Sequence, residues 1–407
     1  MDSNSTDGQD EQVDRVIDEL LAAHPPASTE PVTFLRAQFD AGLAYIQNPV
    51  GYGGLGLSID HQRHIDDRLA AAGAPPNGRS TNAIAAGQGA ASILAYGSEE
   101  QKQKYLRPLF TAELMGCQLY SEPGAGSDLA SLATRAVRDG DEWIVNGQKV
   151  WTSGAHRAKV AILLARTDPD VPKHAGLTQF VLDMTAPGVE VRPLRQMSGG
   201  AEFNEVFLHD VRVPDAERLG PVGDGWTVSQ HTLVHERYNM PSPPARGSGA
   251  IAGVVEAWKA RDDKTSPAAI ALKSELMRHW VDTEVLRLLT VRANVMRSQG
   301  SSGPEGSLGK LANSVVGRRL ADWAPVLLGP EGTILEGGYD QPEDMASMRR
   351  GRSGPGALQR GAVGSPGIAI AGGTDQIQRN IIGDRVLGLP REPAADRGVP
   401  WSKTLRS

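Results

Sequence analysis

Leu119-Tyr120-Ser121-Glu122-Pro123-Gly124-Ala125-Gly126-Ser127-Asp128 is the stretch on which the reading of this chain turns. An apolar approach ends at Pro123, whose ring fixes one backbone angle. Gly124 and Gly126 let the backbone come close to a ligand, and Ser127 offers a hydroxyl as the turn closes. Successive amides in such a turn can cradle a phosphate. A Gly-x-Gly pair by itself is most often an ordinary turn, so the flanks decide.

Everything upstream of that stretch reads as helix. Val13, Val16, Ile17, Leu20 and Leu21 share one face of a helix over residues 12–24, which Pro25 and Pro26 end. A second helix is expected over 32–42. The run Pro49-Val50-Gly51-Tyr52-Gly53-Gly54-Leu55-Gly56 lacks the Lys-Ser/Thr of a phosphate loop and follows no strand, so it reads as a structural turn. Helical spacing resumes over 59–73 and in the Ala- and Gly-rich 82–96. Ser98 can then cap a further helix with Glu99 and Glu100 in its first turn. Met1 to Glu11 is polar and acidic, unlike a signal peptide, and reads as a disordered tail.

Downstream, from Gly116 to about residue 215, the pattern is short and strand-like. Trp143-Ile144-Val145 leads into Asn146-Gly147, a hairpin signal. Val160 to Arg166 and Phe180 to Leu182 are apolar runs, and Val206 to Val213 alternates. The loop 167–176 is expected at the surface with His174 solvated. From Gly225 the chain returns to helix as far as Met240, where Pro241, Pro243 and Pro244 break it. Further helices are expected over 247–260, 268–298, 308–328 and from Thr374 or Asp375 to Leu387. Residues 331–366, with Arg349-Arg350-Gly351-Arg352, read as loop.

Ser121 to Asp128 resembles the flavin-binding segment of the acyl-CoA dehydrogenase family. Three further stretches resemble that family in its own order: Asn146 to Gly154 (NGQKVWTSG), Asp210 to Pro214 (DVRVP) and Gly372 to Asn380 (GGTDQIQRN). The resemblance covers roughly residues 45 to 393. It implies an α+β multidomain fold: an N-terminal α-helical domain over 1–115 (1–11 its disordered tail), a small central β-barrel or sandwich domain over 116–222, and a C-terminal four-helix-bundle-like α domain over 223–407. It also implies FAD and an acyl-CoA thioester as substrate. A proton leaves the carbon next to the thioester carbonyl and a hydride passes from the next carbon to the flavin.

By motif match, the strand Gln118 to Ser121, Tyr120 included, lines the flavin ring, with Gly126 close to the cofactor. Ser127 lies between flavin and CoA phosphates. Trp151 covers one face of the flavin, with Thr152 beside it, and Ser153 donates toward N5. Thr374 and Gln376 contact the cofactor from a helix start, a natural site for its pyrophosphate. Many relatives carry a glutamate base immediately before the Gly-Thr pair, but this chain has Gly372 there. A minority place the base on the helix after the β-domain, directly before an arginine. Here that place reads His235-Glu236-Arg237, so the resemblance implies Glu236 as base and Arg237 as a substrate contact. The family's Arg-x-x-Phe-Gly segment is not visible near 260–269, and Val326 stands where glutamine is common. Similar departures occur in actinobacterial relatives acting on steroid side-chain thioesters, some of them heteromers.

The composition is compatible with that reading and closes other routes. The chain has 407 residues and a formal charge of −6, against a nucleic-acid or anionic-membrane partner. Cys117 is the single cysteine, so there is no disulfide framework, and a cytoplasmic location is expected. No run is long enough to span a bilayer, and no metal site is read. The expected partners are electron-transferring flavoprotein and copies of the chain (a dimer or tetramer), or a heterotetramer with a related subunit. Two alternatives stay open: a flavin-dependent oxidase or monooxygenase on the same fold, and a non-catalytic partner subunit of a heteromeric dehydrogenase.

Overall fold

The structure, a computed structural model, describes residues 3–238, 245–298, 305–334, 355–391 and 393–404. Side chains at 233–238 lie outside the described residues, as do Pro241, Pro243, Pro244 and the run Arg349 to Arg352. The chain divides into two compact units. One comprises residues 1–193, 203–236 and 396–407; the other comprises 194–202 and 237–395.

The first unit opens with helices α1 (Ser3–Ala23), α2 (Pro31–Asp40) and α3 (His61–Ala71). Helix α1 begins well before residue 12, which corrects the expected tail. Its polar first turns have partners about fifty positions away: Asp10 lies 2.9 Å from His61, and Asp14 takes bonds from His64 at 2.7 Å and Arg68 at 2.6 Å. No local periodicity carries such information. The glycine-rich run after α2 is a structural turn, as expected. A Cβ on Gly54 would fall 2.1 Å from the Asn48 carbonyl oxygen, so only glycine fits.

The small-residue segment is a short helix α4 (Gly78–Thr81), a π-helical stretch over Ala83–Gly89 and then α5 (Ala90–Tyr96). Helix α6 (Glu99–Phe110) starts in a reciprocal cap: Ser98 Oγ accepts from the Gln101 amide, and Gln101 Oε1 accepts from the Ser98 amide.

The strands are β1 (Gly116–Leu119), β2 (Arg135–Asp139), β3 (Glu142–Ser153), β4 (Val160–Arg166), β5 (Leu177–Asp183), β6 (Val189–Leu194), β7 (Phe203–Pro214) and β8 (Arg218–Leu219). They form one mixed sheet in the order β6-β7-β3-β2-β4-β5-β8, with β1 parallel to β4. Among the described residues this path is open, not a closed barrel. Strands β4 and β5 are buried on both faces, which explains their unbroken apolar runs. Ile162, Leu164 and Val181 join the core of the N-terminal helices, while Leu163, Phe180 and Leu182 pack with Trp143, Val145 and Val206.

Asn146-Gly147 is not a hairpin turn. It lies inside β3, where the pairing with β7 shifts register, and the β2–β3 turn falls at residues 140 and 141. A Cβ on Gly147 would sit 2.4 Å from Thr134 Oγ1, so the glycine marks a bulge at a close crossing.

Helix α7 (Gly225–Tyr238) follows the sheet. The second unit holds α8 (Ala250–Lys259), α9 (Pro267–Ser298), α10 (Glu305–Leu328), α11 (Pro355–Ile368) and α12 (Asp375–Arg385). Ile251, Val254, Trp258, Leu276, Leu320 and Leu327 form its core. Helix α11 corrects the expected loop over 355–366. Its glycines are poor helix formers, but Leu358 packs on this core and Gln359 Nε2 donates to the Glu331 carbonyl at 2.6 Å. Among the described residues no helix is long and apolar enough to cross a membrane.

After α12 the chain returns to the first unit. The Trp401 amide donates to the Val171 carbonyl at 2.8 Å, and its indole Nε1 to the Ser131 carbonyl at 3.1 Å. The Arg166 guanidinium lies 4.3 Å from the Trp401 ring centre. Lys173 bridges Asp128, at 2.9 Å, and Asp396, at 2.6 Å. The loop 167–176 is therefore fastened from both sides, with His174 exposed and its ring edge against Trp226.

Candidate active site

The decisive stretch leaves β1 at Leu119 and folds into a tight turn in which Glu122 and Ala125 exchange backbone bonds of 3.0 Å. Gly126 and Ser127 follow on the surface. Among the described residues, the amides of Gly126 and Ser127 donate to no backbone carbonyl, and a Cβ on Gly126 would meet nothing within 4 Å.

Beneath the turn lies a buried ion pair. Lys149 is fully buried, and its Nζ donates to Glu122 Oε1 and to the Tyr120 carbonyl, each at 2.9 Å. Glu122 also accepts from the amides of Ala133, at 2.6 Å, and Thr134, at 2.8 Å. Burial alone would push the Glu122 carboxyl up. The Lys149 charge and these donors outweigh it and hold the group below the ordinary glutamate range. The Val150 amide donates to the Ser121 carbonyl at 2.9 Å, so β3 grips both carbonyls that precede the turn.

The same strand then delivers Trp151. Its pairing with β7 shifts between Lys149 and Thr152, and Trp151 takes φ +60° with 62% of its surface exposed. A left-handed conformation costs a side-chain-bearing residue about 1–2 kcal/mol, and an exposed indole leaves apolar area in water. Phe203 steadies the ring edge-on at 6.1 Å. Thr152 points inward, its Oγ1 buried and without a partner among the described residues; Asn204 Nδ2 donates to its carbonyl at 2.9 Å. Gly154 at φ +69° turns the chain after Ser153. An exposed planar ring face beside a turn whose Gly126 and Ser127 amides donate to no described backbone carbonyl fits a flat cofactor with a phosphate tail.

One group of expected residues thus gathers in the first unit: Gln118, Tyr120 and Ser121, Gly126 and Ser127, and Trp151, Thr152 and Ser153. Position 236 falls in the last turn of α7; the Glu236 and Arg237 side chains lie outside the described residues. In the second unit Gly372 takes φ +67°, a conformation that a glutamate would adopt only under strain. Thr374 caps α12, its Oγ1 accepting from the Ile377 amide at 3.2 Å, and Gln376 is exposed in the first turn. Asp375 beside them is buried, bonded by Ser314 at 2.9 Å and Lys310 at 3.1 Å.

Sequence reasoning missed the Glu122–Lys149 pair. Its signal was a lysine set between core positions Val145 and Val150, with a lone acid at the start of the turn.

Residues 9–113, 117–211 and 223–387 match, in order, the models of the acyl-CoA dehydrogenase N-terminal, middle and C-terminal domains. The chain belongs to the acyl-CoA dehydrogenase family. That is an oxidoreductase family, and the helix–sheet–helix order described above is its fold.

Among curated acyl-CoA dehydrogenases, IpdE1 of Mycobacterium tuberculosis is 34% identical over 360 residues, covering 86% of each chain. FadE34 of the same organism is 37% identical over 357 residues, covering 86% of this chain but 45% of that protein, so this chain matches about half of FadE34's length. The solved ChsE4–ChsE5 complex from M. tuberculosis has a TM-score of 0.71 at 30% identity, covering 94% of this chain and 98% of that one. The Tcur3481–Tcur3483 steroid ACAD has a TM-score of 0.69 at 26% identity, covering 96% and 100%.

Proposed function

We propose that the chain is an FAD-dependent acyl-CoA dehydrogenase that converts an acyl-CoA thioester to the 2-enoyl-CoA and passes electrons to electron-transferring flavoprotein. The observation that carries the reading is Trp151, held strained and exposed beside the turn of Ser121, Gly126 and Ser127. A bound FAD supplies the hydride acceptor. Trp151 would stack on the ring, Ser153 and the strand Gln118 to Ser121 would meet its polar edge, and the amides of Gly126 and Ser127 would hold phosphate. Thr374 and Gln376 would reach cofactor from the start of α12. Glu236 would take the proton, with Arg237 a substrate contact. The three-part division at 116 and 223 and a cytoplasmic location belong to the same proposal. Anaerobic mixing with acyl-CoA tests it: bleaching of the flavin supports a dehydrogenase, whereas turnover that requires oxygen favours the oxidase or monooxygenase.

An oligomer, of like or unlike subunits, is part of this reading. Helix α9 exposes Met277, Val281, Val285, Leu288 and Val295 at three-, four- and seven-residue spacings, an apolar stripe that a partner would cover. Purification without bound flavin would favour the non-catalytic partner subunit.

Gly126→Val should leave the fold intact and remove the cofactor. The new Cβ meets no protein atom, so only a ligand seated against the turn feels it. The purified variant should be colourless; normal FAD content would refute the close approach.

We further propose a bulky, branched or ring-bearing acyl group. Pro241, Pro243 and Pro244 stand just beyond the described end of α7, and a proline inside a helix costs about 3 kcal/mol or more. On the sequence expectation that such a run ends or bends a helix, these prolines would make room along the acyl chain. Similarity to a steroid ACAD supports the same direction. Branched and polycyclic thioesters should give higher kcat/KM than butanoyl-CoA. The reverse order would sink the wide pocket.

A further inference from the structure

We infer that Tyr120, Thr232 and Ser92 form a buried hydrogen-bonded latch that sets the register of α7 against the strand leading into the glycine turn, and so positions residue 236. The inference rests on the Glu236 reading and deepens it. Tyr120 immediately precedes Ser121, and Thr232 is one helical turn before position 236. All four side chains involved are buried: Tyr120 is 6% exposed, Thr232 1%, and Ser92 and Gln179 are both 0%.

The bonds run in one direction. Gln179 Nε2, on β5, donates to the Tyr120 hydroxyl at 2.6 Å. That hydroxyl donates to Thr232 Oγ1 at 3.3 Å. Thr232 Oγ1 uses its own proton on the Val228 carbonyl at 3.1 Å, so Ser92, on α5, is the donor in its short contact with Thr232. One residue along α7, His231 meets the Tyr96 ring edge-on at 5.4 Å, so α5 holds the helix at adjacent positions.

Apolar packing can be rearranged at moderate cost where volume is conserved, so by itself it fixes the register of α7 less sharply than a directional contact does. A directional bond at Thr232 does not permit that, since a slipped helix would leave buried hydroxyls unpaired. In this proposal the strand backbone serves the cofactor, while the Tyr120 hydroxyl, engaged with Gln179 and Thr232, is a positioning group. The Tyr120 backbone carbonyl is held separately by Lys149, so loss of the hydroxyl leaves the turn beneath the proposed cofactor in place.

Tyr120→Phe, Thr232→Val, Thr232→Ser and Glu236→Gln should be prepared as holoenzymes. In Tyr120→Phe and Thr232→Val, FAD content should match wild type. The value of kcat should fall about tenfold or more while thioester KM stays within about twofold, because a small misplacement of a catalytic group costs rate before binding. Hydrogen exchange of α7 amides at 229–236 should quicken in both. Thr232→Ser keeps the hydroxyl and should keep turnover and protection. Unchanged turnover and unchanged α7 exchange in Tyr120→Phe and Thr232→Val would overturn the latch while Glu236→Gln is inactive. If Glu236→Gln stays active, the base assignment has failed, and the exchange data alone judge the latch. Should Tyr120→Phe not fold, Thr232→Val and Thr232→Ser decide it.

Discussion

Glu236→Gln is expected to keep its FAD and lose at least about a hundredfold in turnover, the usual contribution of a positioned general base. The amide has the carboxylate's shape, so packing and cofactor content should be unchanged; only the capacity to accept a proton is removed. The alternative position is closed on this chain: Gly372 has no side chain, and its φ of +67° suits glycine. Rapid anaerobic mixing with substrate reads the effect as a slowed bleaching of the flavin. Near-normal rates would mean that the proton goes elsewhere, and His235 would be the next residue to change.

The second large effect belongs to Lys149→Met. A buried ion pair stripped of one partner typically loses about 3–5 kcal/mol, because the survivor remains as an uncompensated charge. Here the survivor is Glu122, 9% exposed, held among the described residues by Ala133 and Thr134. The Tyr120 carbonyl also loses its donor. Lower thermal stability and weakened FAD retention should appear together. A variant within about 1 kcal/mol of wild type would show that the pair is not a clamp.

The pH dependence has a definite sign. With its folded value depressed, Glu122 adds stability that is present above the ordinary glutamate pKa of about 4.3 and is lost as pH falls through the folded value. Without the Lys149 charge the carboxyl loses its main stabilising partner and titrates higher. The stability deficit of Lys149→Met relative to wild type should therefore be largest near neutral pH and shrink as pH falls through the carboxylate range, where the stranded Glu122 is neutralised; a deficit that grows in acid would contradict this.

Much of this architecture could be read from local pattern. The apolar stripe of Val13, Ile17 and Leu20 and the Ser98 cap involve neighbours within a turn or two, and both were legible. What escaped depended on distant partners. Residues 3–11 are helical with Asp10 against His61. The glycine-rich α11 is held by packing on the core of its unit. Asn146-Gly147 has the composition of a hairpin, yet Thr134 crosses so close that the glycine serves a bulge instead. In the site, the glycine turn and Trp151 were visible as motif. The Lys149 clamp and the Tyr120–Thr232 contact were not, since a charge in a strand and a tyrosine before a turn look ordinary until their partners are known.

The return of residues 396–404 to the first unit has a consequence for how the chain is made. In topological terms the helical unit of 237–395 is an insertion within its neighbour, and Trp401 is the last piece set against Arg166 and Ser131. During synthesis the sheet and its helices can collapse early, but the loop 167–176 acquires its final brace only after the whole insertion has emerged. A nascent or truncated chain ending near 390 would carry the glycine turn with Lys173 deprived of Asp396. Extensions fused directly after Lys403 would bear on that brace.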